Sequence, residues 1–198
     1  MDRKIHRAKE ILEIESNAIR NMPVDKSLLK AVDMISACKG KIITSGMGKA
    51  GIIARKLSST LSSTGTPSVF LHPGEAQHGD MGMIGPKDIL FVFSHSGKTR
   101  ELLEMVAISG RLYADHKVPV IAVTSHPESE LRNVSDVVLD IGDVKEVCPL
   151  GMAPTTSTTC MLAMSDVVAV LVMEEKNFTK EEFFKRHHGG YLGQQKDK

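Results

Sequence analysis

The sequence predicts an α/β protein: a three-layer αβα sandwich on a five-stranded parallel sheet, doubly wound. Two patterns carry that expectation. Short apolar runs of strand length alternate with longer helical stretches. The runs are apolar at consecutive positions rather than at every second one, as in strands covered on both faces. The 198 residues, 41% hydrophobic and 25% charged, suffice for one domain with a proper core.

Two helices are expected first, over Asp2–Arg20 and Asp25–Cys38. The first carries Ile5, Ala8, Leu12, Glu15 and Ile19 at spacings of three and four. Such a stripe packs either on its own domain or on a partner subunit. Strands follow over Lys41–Ser45, Ser68–Leu71, Asp88–Phe93, Pro119–Thr124 and Val137–Ile141, bounded by Gly, Pro, Ser or Asp. Helices are expected between them over Ala50–Ser63, Lys98–His116 and Glu128–Asn133. Two more close the chain, over Pro154–Glu175 and Lys180–Lys185. Pro154 suits a first helical position. The helix after it is apolar on most sides, as a buried central helix would be. Thr179 to Glu182, "TKEE", reads as a capping box.

Formal net charge is +1, which gives no electrostatic case for a nucleic-acid or membrane partner. The longest apolar run, Met161 to Met173, is short for a bilayer and contains Asp166. The first twenty residues are charged throughout and lack an apolar signal core. Cys38, Cys148 and Cys160 match no zinc pattern and read as reduced thiols. A cytoplasmic location follows as the expectation.

In doubly wound sheets ligands bind beyond the carboxyl ends of the strands. The loops that matter therefore start at Ser45, His72, Ser94, Ser125 and Gly142. One of them, in "FVFSHSGKTRE", contains Gly97-Lys98-Thr99. A nucleotide P-loop would need a glycine where Val92 stands inside a strand, and "VVLDIGD" is a common strand rather than a specific metal-binding one. The alternative is a cradle for a terminal phosphate monoester. Ser94, Ser96 and Thr99 place three hydroxyls around a strand-to-helix turn, Gly97 lets the backbone come close, and the helix N-terminus offers N–H groups. A plain Ser-Gly capping turn would read the same way in isolation. The second loop, "SGMGKAG", fits Gly-x-Gly-x-x-Gly as Gly46, Gly48 and Gly51, but no acidic residue ends the next strand, so a dinucleotide site is weakly supported. Lys49 at its mouth is a cation at a helix start, where the dipole disfavours it.

Together "GMGKAG", "STGTPSVFLHPGEAQHGDMGMI", "FVFSHSGKTRE", "KEVCPLGMAPTTSTT" and "RHHGGYLG" resemble the sugar-isomerase (SIS) domain family, and within it the arabinose 5-phosphate isomerases. The resemblance covers nearly the whole chain in the family's order. It implies a single flavodoxin-like domain over 1–198, with a helical N-terminal extension over 1–40, a sheet core over 41–142 and C-terminal helices over 143–198. It implies interconversion of ribulose 5-phosphate and arabinose 5-phosphate for Kdo, lipopolysaccharide or capsule synthesis. Carried over by position, the catalytic residues are Lys49, Glu101, Glu146 and His187. The phosphate and substrate contacts are Ser45, Gly46, His78, Ser94, His95, Ser96, Thr99 and the hydroxyls of "TTSTT", Thr155, Thr156 and Ser157 first among them. This chain has His95-Ser96-Gly97-Lys98 where the family usually has Asn-Ser-Gly-Glu, and His188 where it usually has Pro. Many members carry a pair of CBS domains after this domain; the resemblance here is to the form without them.

The implied chemistry moves a proton between C1 and C2 through a cis-enediol. A carboxylate holds and returns the proton, and a cation stabilises the charge growing on oxygen. Glu146 takes the first role, Lys49 the second, His187 opens the sugar ring, and Glu101 is a second carboxylate. No metal or cofactor is expected: His72, His78, His187 and His188 show no helical ligand spacing. The implied partners are a small phosphosugar and further copies of the chain, at least a dimer and by resemblance a tetramer, with His187 reaching a neighbouring site. Other readings are a different phosphosugar isomerase, or a phosphosugar-binding regulator. Regulators of this class carry a helix-turn-helix with a basic recognition helix, which this sequence lacks.

Overall fold

The computed structural model describes residues 2–187. Five parallel strands form one sheet in the order β2-β1-β3-β4-β5. They are β1 (Ile42–Gly46), β2 (Ser68–Phe70), β3 (Ile89–Phe93), β4 (Val120–Thr124) and β5 (Val137–Asp140). The register pairs Ile43 with Leu90 and Val92 with Ala122. Each strand begins and ends within a residue of its expected bounds.

Alternate residues of each strand serve opposite cores, as the pleat requires. Phe91, Phe93, Ile121 and Val123 pack against α2 (Lys26–Ala37), α3 (Gly48–Ser63) and α7 (Thr156–Glu175). Leu90, Val92, Val120 and Ala122 pack against α4 (Pro73–Ala76), α5 (Arg100–Ser109) and α6 (Glu130–Val134). Phe91 and Phe93 are fully buried with ring centroids 5.2 Å apart. A side chain of this kind contributes roughly 1.5–3 kcal/mol when buried. At the amino edge of the sheet Asp88 accepts from Lys41 N and Nζ at 2.8 and 2.7 Å and from Gly85 N at 2.7 Å, which fixes the entry of β3 beside that of β1.

Three expectations are corrected. The helix expected to reach His116 ends at Ser109: Gly110 follows, and the segment beyond is folded back by a Tyr113–His116 bridge and by the Tyr113 hydroxyl donating to Ile84 O at 2.6 Å. Pro154 lies before the cap of α7 rather than at its first position, because Thr155 is the N-cap. Between β2 and β3 the chain also forms the short α4 and a 3₁₀ turn, Asp80–Met83, too brief to show periodicity.

α7 is apolar on most sides, and its 20 residues are long and apolar enough to cross a bilayer. Here it is a core helix: Cys160, Met161, Met164, Val168 and Val172 are buried against α2 and α3. Its other side is open, with Val170 51% exposed. α1 (Arg3–Arg20) lies along α7 and buries none of its residues; Ile5, Leu12 and Ile19 of the stripe stay exposed. The capping box at Thr179 and Glu182 opens α8 (Lys180–Arg186) as expected.

Candidate active site

The strand order reverses between β1 and β3, and the crevice beyond their carboxyl ends is where a doubly wound fold binds ligands. A cavity of about 210 Å³ lies there. The start of α3 supplies Lys49. The turn after β3 supplies Ser94, His95, Ser96 and Thr99. The start of α7 supplies Ser157 and Thr158. Of the expected phosphate contacts, Ser94, His95, Ser96, Thr99 and Ser157 line this one cavity, together with Lys49.

The β3–α5 turn is built to hold its hydroxyls. Ser94 Oγ and Thr99 Oγ1 are hydrogen-bonded at 2.9 Å, Gly97 N donates to Ser94 Oγ at 3.1 Å, and Lys98 N donates to Ser96 Oγ at 3.2 Å. Gly97 has φ 61°, and a Cβ there would overlap the Ser129 side chain, so glycine is required twice over. Thr99 is the N-cap of α5 but its hydroxyl faces Ser94, and no side chain among the described residues caps the helix. The first-turn N–H groups of α5 are thus left without a side-chain cap just behind Thr99, which lines the cavity.

The β5–α7 connection is arranged differently. Glu146 Oε2 accepts from Thr155 N at 2.7 Å, Thr155 Oγ1 at 2.9 Å and Ser157 N at 3.3 Å. The N-terminus of α7 is therefore satisfied by a carboxylate of the chain itself. Val147 N donates to Thr155 Oγ1 at 3.2 Å, which closes the neck of the loop between them. Within that loop Cys148 Sγ accepts from Met152 N and Ala153 N, and these donors pull the thiol below its ordinary value. Burial pushes the Glu146 carboxyl up, but the Ser157 hydroxyl nearby and the Thr155 and Ser157 hydrogen bonds outweigh it and hold it below the usual range. The side chain is 6% exposed, and its Oε1 faces His95 Nδ1 at 4.0 Å.

Thr156 Oγ1 and Ser157 Oγ are buried without a well-formed hydrogen bond among the described residues; Ser157, on the cavity wall, has its hydroxyl near the Glu146 carboxylate.

The other expected residues sit as follows. Ser45 is fully buried, and its hydroxyl donates to Leu71 O at 2.6 Å on the α5 side of the sheet, away from the cavity. Gly46 ends β1 and packs closely on Gly51 of α3, a close approach that a side chain on either would block. Thr155 spends its N–H and hydroxyl on Glu146. Glu101 is half-buried in the first turn of α5, two residues after Thr99, and does not line the cavity. His78 is exposed in the turn after α4 and does not line it either. His187 follows α8 and stacks on Phe183 with centroids 3.7 Å apart. It lies at the opposite, amino edge of the sheet, because Arg186 covers Phe178, whose ring packs on Gly65 ahead of β2. His188 lies outside the described residues.

A second and larger cavity, about 630 Å³, adjoins the first through His95 and Ser96. It opens between the ends of β4 and β5, with His126, Asp140 and Asp143 on its wall. The sequence points to the loops at Ser125 and Gly142 but not to these side chains. Nor does it point to the approach of His95 to Glu146, which joins residues far apart in the chain.

Sheet order, switch-point crevice and hydroxyl turn define a doubly wound α/β protein with an anion cradle at a helix N-terminus. Residues 34–171 match the model of the SIS domain. The chain belongs to the SIS domain family. It is 43% identical over 187 residues to the arabinose 5-phosphate isomerase of Escherichia coli K12, which covers 93% of this chain and 56% of that protein. The corresponding figures for the arabinose 5-phosphate isomerase of Pseudomonas aeruginosa PAO1 are 40%, 96% and 57%. The chain thus spans a little over half the length of these curated relatives. Among solved structures, a Bacteroides fragilis candidate phosphosugar isomerase involved in capsule formation superposes with a TM-score of 0.91 at 47% identity, covering 95% of this chain and 99% of that one. An Escherichia coli CFT073 protein in complex with arabinose 5-phosphate does so with a TM-score of 0.87 at 34% identity, covering 94% and 100%.

Proposed function

We propose that the protein is an aldose–ketose isomerase that interconverts D-ribulose 5-phosphate and D-arabinose 5-phosphate through a cis-enediol, serving Kdo, lipopolysaccharide or capsule synthesis in the cytoplasm. The observation that carries this reading is the pairing at one crevice of two anion sites. The α5 N-terminus offers hydroxyls and N–H groups to a phosphate. Glu146, held ionised at the α7 N-terminus, lies behind the cavity wall: its side chain is 6% exposed, it lines neither cavity itself, and its Oε1 faces His95, which does. A carboxylate anchored through one oxygen, with the other free of hydrogen bonds among the described residues, is suited to lift a proton from one carbon and return it to the next. Lys49, on the cavity wall, stabilises the enediolate oxygen. The names of the relatives support the choice of substrate.

In this reading His187 acts on the site of a second copy, since within its own chain it lies at the far edge of the sheet. The active unit is then at least a dimer, with a tetramer as the expected assembly. The uncovered stripe of α1 and the open side of α7 supply apolar surface for it. Glu101 serves as the second carboxylate once the neighbour closes the crevice.

A substrate panel tests the proposal: the 5-phosphates of ribulose, ribose and arabinose, and fructose 6-phosphate, with deuterium uptake from D₂O followed at C1 and C2. Turnover of arabinose 5-phosphate with exchange at these carbons is expected, and its absence overturns the reading. Mixing the inactive variants Glu146→Gln and His187→Ala under subunit exchange is expected to restore activity. No recovery in a confirmed mixed oligomer would place His187 outside the neighbouring site.

A further inference from the structure

We propose that His95 is a positioning residue for Glu146 rather than a phosphate ligand. The inference rests on the reading of Glu146 as the proton-shuttling base. His95 stands in the middle of the hydroxyl turn, yet the structure uses it differently from its neighbours. Its carbonyl accepts from Ser125 N at 3.1 Å, His126 N at 3.3 Å and Thr124 Oγ1 at 3.2 Å, so its backbone is tied to the end of β4. Its imidazole, 39% exposed, bridges the wall between the two cavities and turns Nδ1 toward Oε1 of Glu146.

Glu146 has use for such a neighbour. Three hydrogen bonds fix Oε2 to the start of α7. Oε1 is the oxygen left to carry a proton, and an oxygen that must meet two adjacent carbons needs a fixed direction. A donor on Nδ1 supplies that direction, and a charge on the ring changes how tightly Oε1 holds its proton. The other charged or titratable groups facing His95 are Lys49 across the smaller cavity and His126, Asp140 and Asp143 around the larger one. Asp140 is already paired with Arg132 Nη2 at 2.6 Å. Among the described residues Glu146 is the acid within 4.0 Å of a ring nitrogen. The hydroxyl turn, meanwhile, is held without the ring: Ser94 and Thr99 bond each other, Gly97 N donates to Ser94, and Lys98 N donates to Ser96.

The test separates the two roles. His95→Ala is expected to lower kcat roughly ten- to hundredfold, while KM and the inhibition constant of inorganic phosphate change less than about twofold. His95→Asn keeps a donor near the Nδ1 position and is expected to recover part of kcat with KM unchanged. A rise in KM and in the phosphate inhibition constant at unchanged kcat would make His95 a phosphate ligand and overturn the proposal. A second measurement needs no turnover. The His95 ring proton resonance, assigned by its loss in His95→Asn, is compared by NMR in the wild type and in Glu146→Gln. Removing the carboxylate that faces the ring at 4.0 Å is expected to move that resonance. A resonance that stays in place overturns the pairing, whether or not the protein isomerises pentose phosphates. A substrate panel without turnover would instead fail the functional reading.

Discussion

Two helix N-termini meet at the carboxyl edge of this sheet, and the chain treats them in opposite ways. At α7 the positive end of the dipole is occupied by Glu146, which takes the N–H groups of Thr155 and Ser157. At α5 no described side chain caps the first turn, and the cap residue Thr99 turns its hydroxyl to Ser94 instead. The physics at both ends is the same preference for an anion. The difference is who provides it: at α7 the protein supplies a permanent carboxylate, and at α5 the geometry suits a phosphate that comes and goes with the substrate. In the proposed function one terminus tunes a base, and the other selects a ligand.

That contrast can be broken most severely at Glu146. Glu146→Gln keeps an oxygen for Thr155 and Ser157 but removes the charge and the proposed base. It is expected to cut kcat by about 10²–10⁴-fold with the melting curve little moved, as measured by isomerase assay and thermal unfolding in parallel. A wild-type rate would locate the base elsewhere and dissolve the distinction between the two ends.

At the α5 end the expected effect is smaller and of another kind. Ser94→Ala removes a hydroxyl that both orders the turn and faces the crevice. It is expected to raise KM by roughly tenfold, as for the loss of one or two hydrogen bonds to a charged group, with kcat reduced far less. The thermal stabilisation given by inorganic phosphate should shrink in parallel. A fall in kcat at constant KM would mean that this turn takes part in the chemistry.

The smallest effect concerns pH. The Glu146 carboxyl is held down in the folded state, so its contribution to stability is fully present above the ordinary carboxylate value of about 4.3 and is lost as pH falls through the lower folded value. Urea unfolding followed from about pH 6 to pH 3 should show a shallower loss in Glu146→Gln than in the wild type. Equal slopes would mean that α7 gains nothing from its internal anion.

Much of this arrangement is legible in the sequence because local rules and tertiary packing agree. Strand runs such as Ile89–Phe93 are apolar on both faces, and the sheet is covered on both faces. The helix after Thr99 reads too long because Leu112 and Tyr113 continue an apolar pattern; they fold back once Gly110 weakens the helix and the Tyr113 hydroxyl finds Ile84 O. Ser45 does not belong in the cradle, and strand alternation holds the reason: it shares its face of β1 with Ile43, which packs on the α5 side. The identity of Glu146 comes from motif resemblance, but its half-tied carboxylate and its approach to His95 depend on side-chain directions from two connections far apart in the chain. No periodicity encodes them.

The bond from Val147 N to Thr155 Oγ1, together with the clasp of Thr155 on Glu146, has a practical result. Residues 148–153 become an appendix tied off at its base. A tag inserted after Leu150, which is 78% exposed, or a protease cut there, should leave the carboxylate where it stands. The position offers a handle for labelling the protein beside its candidate site.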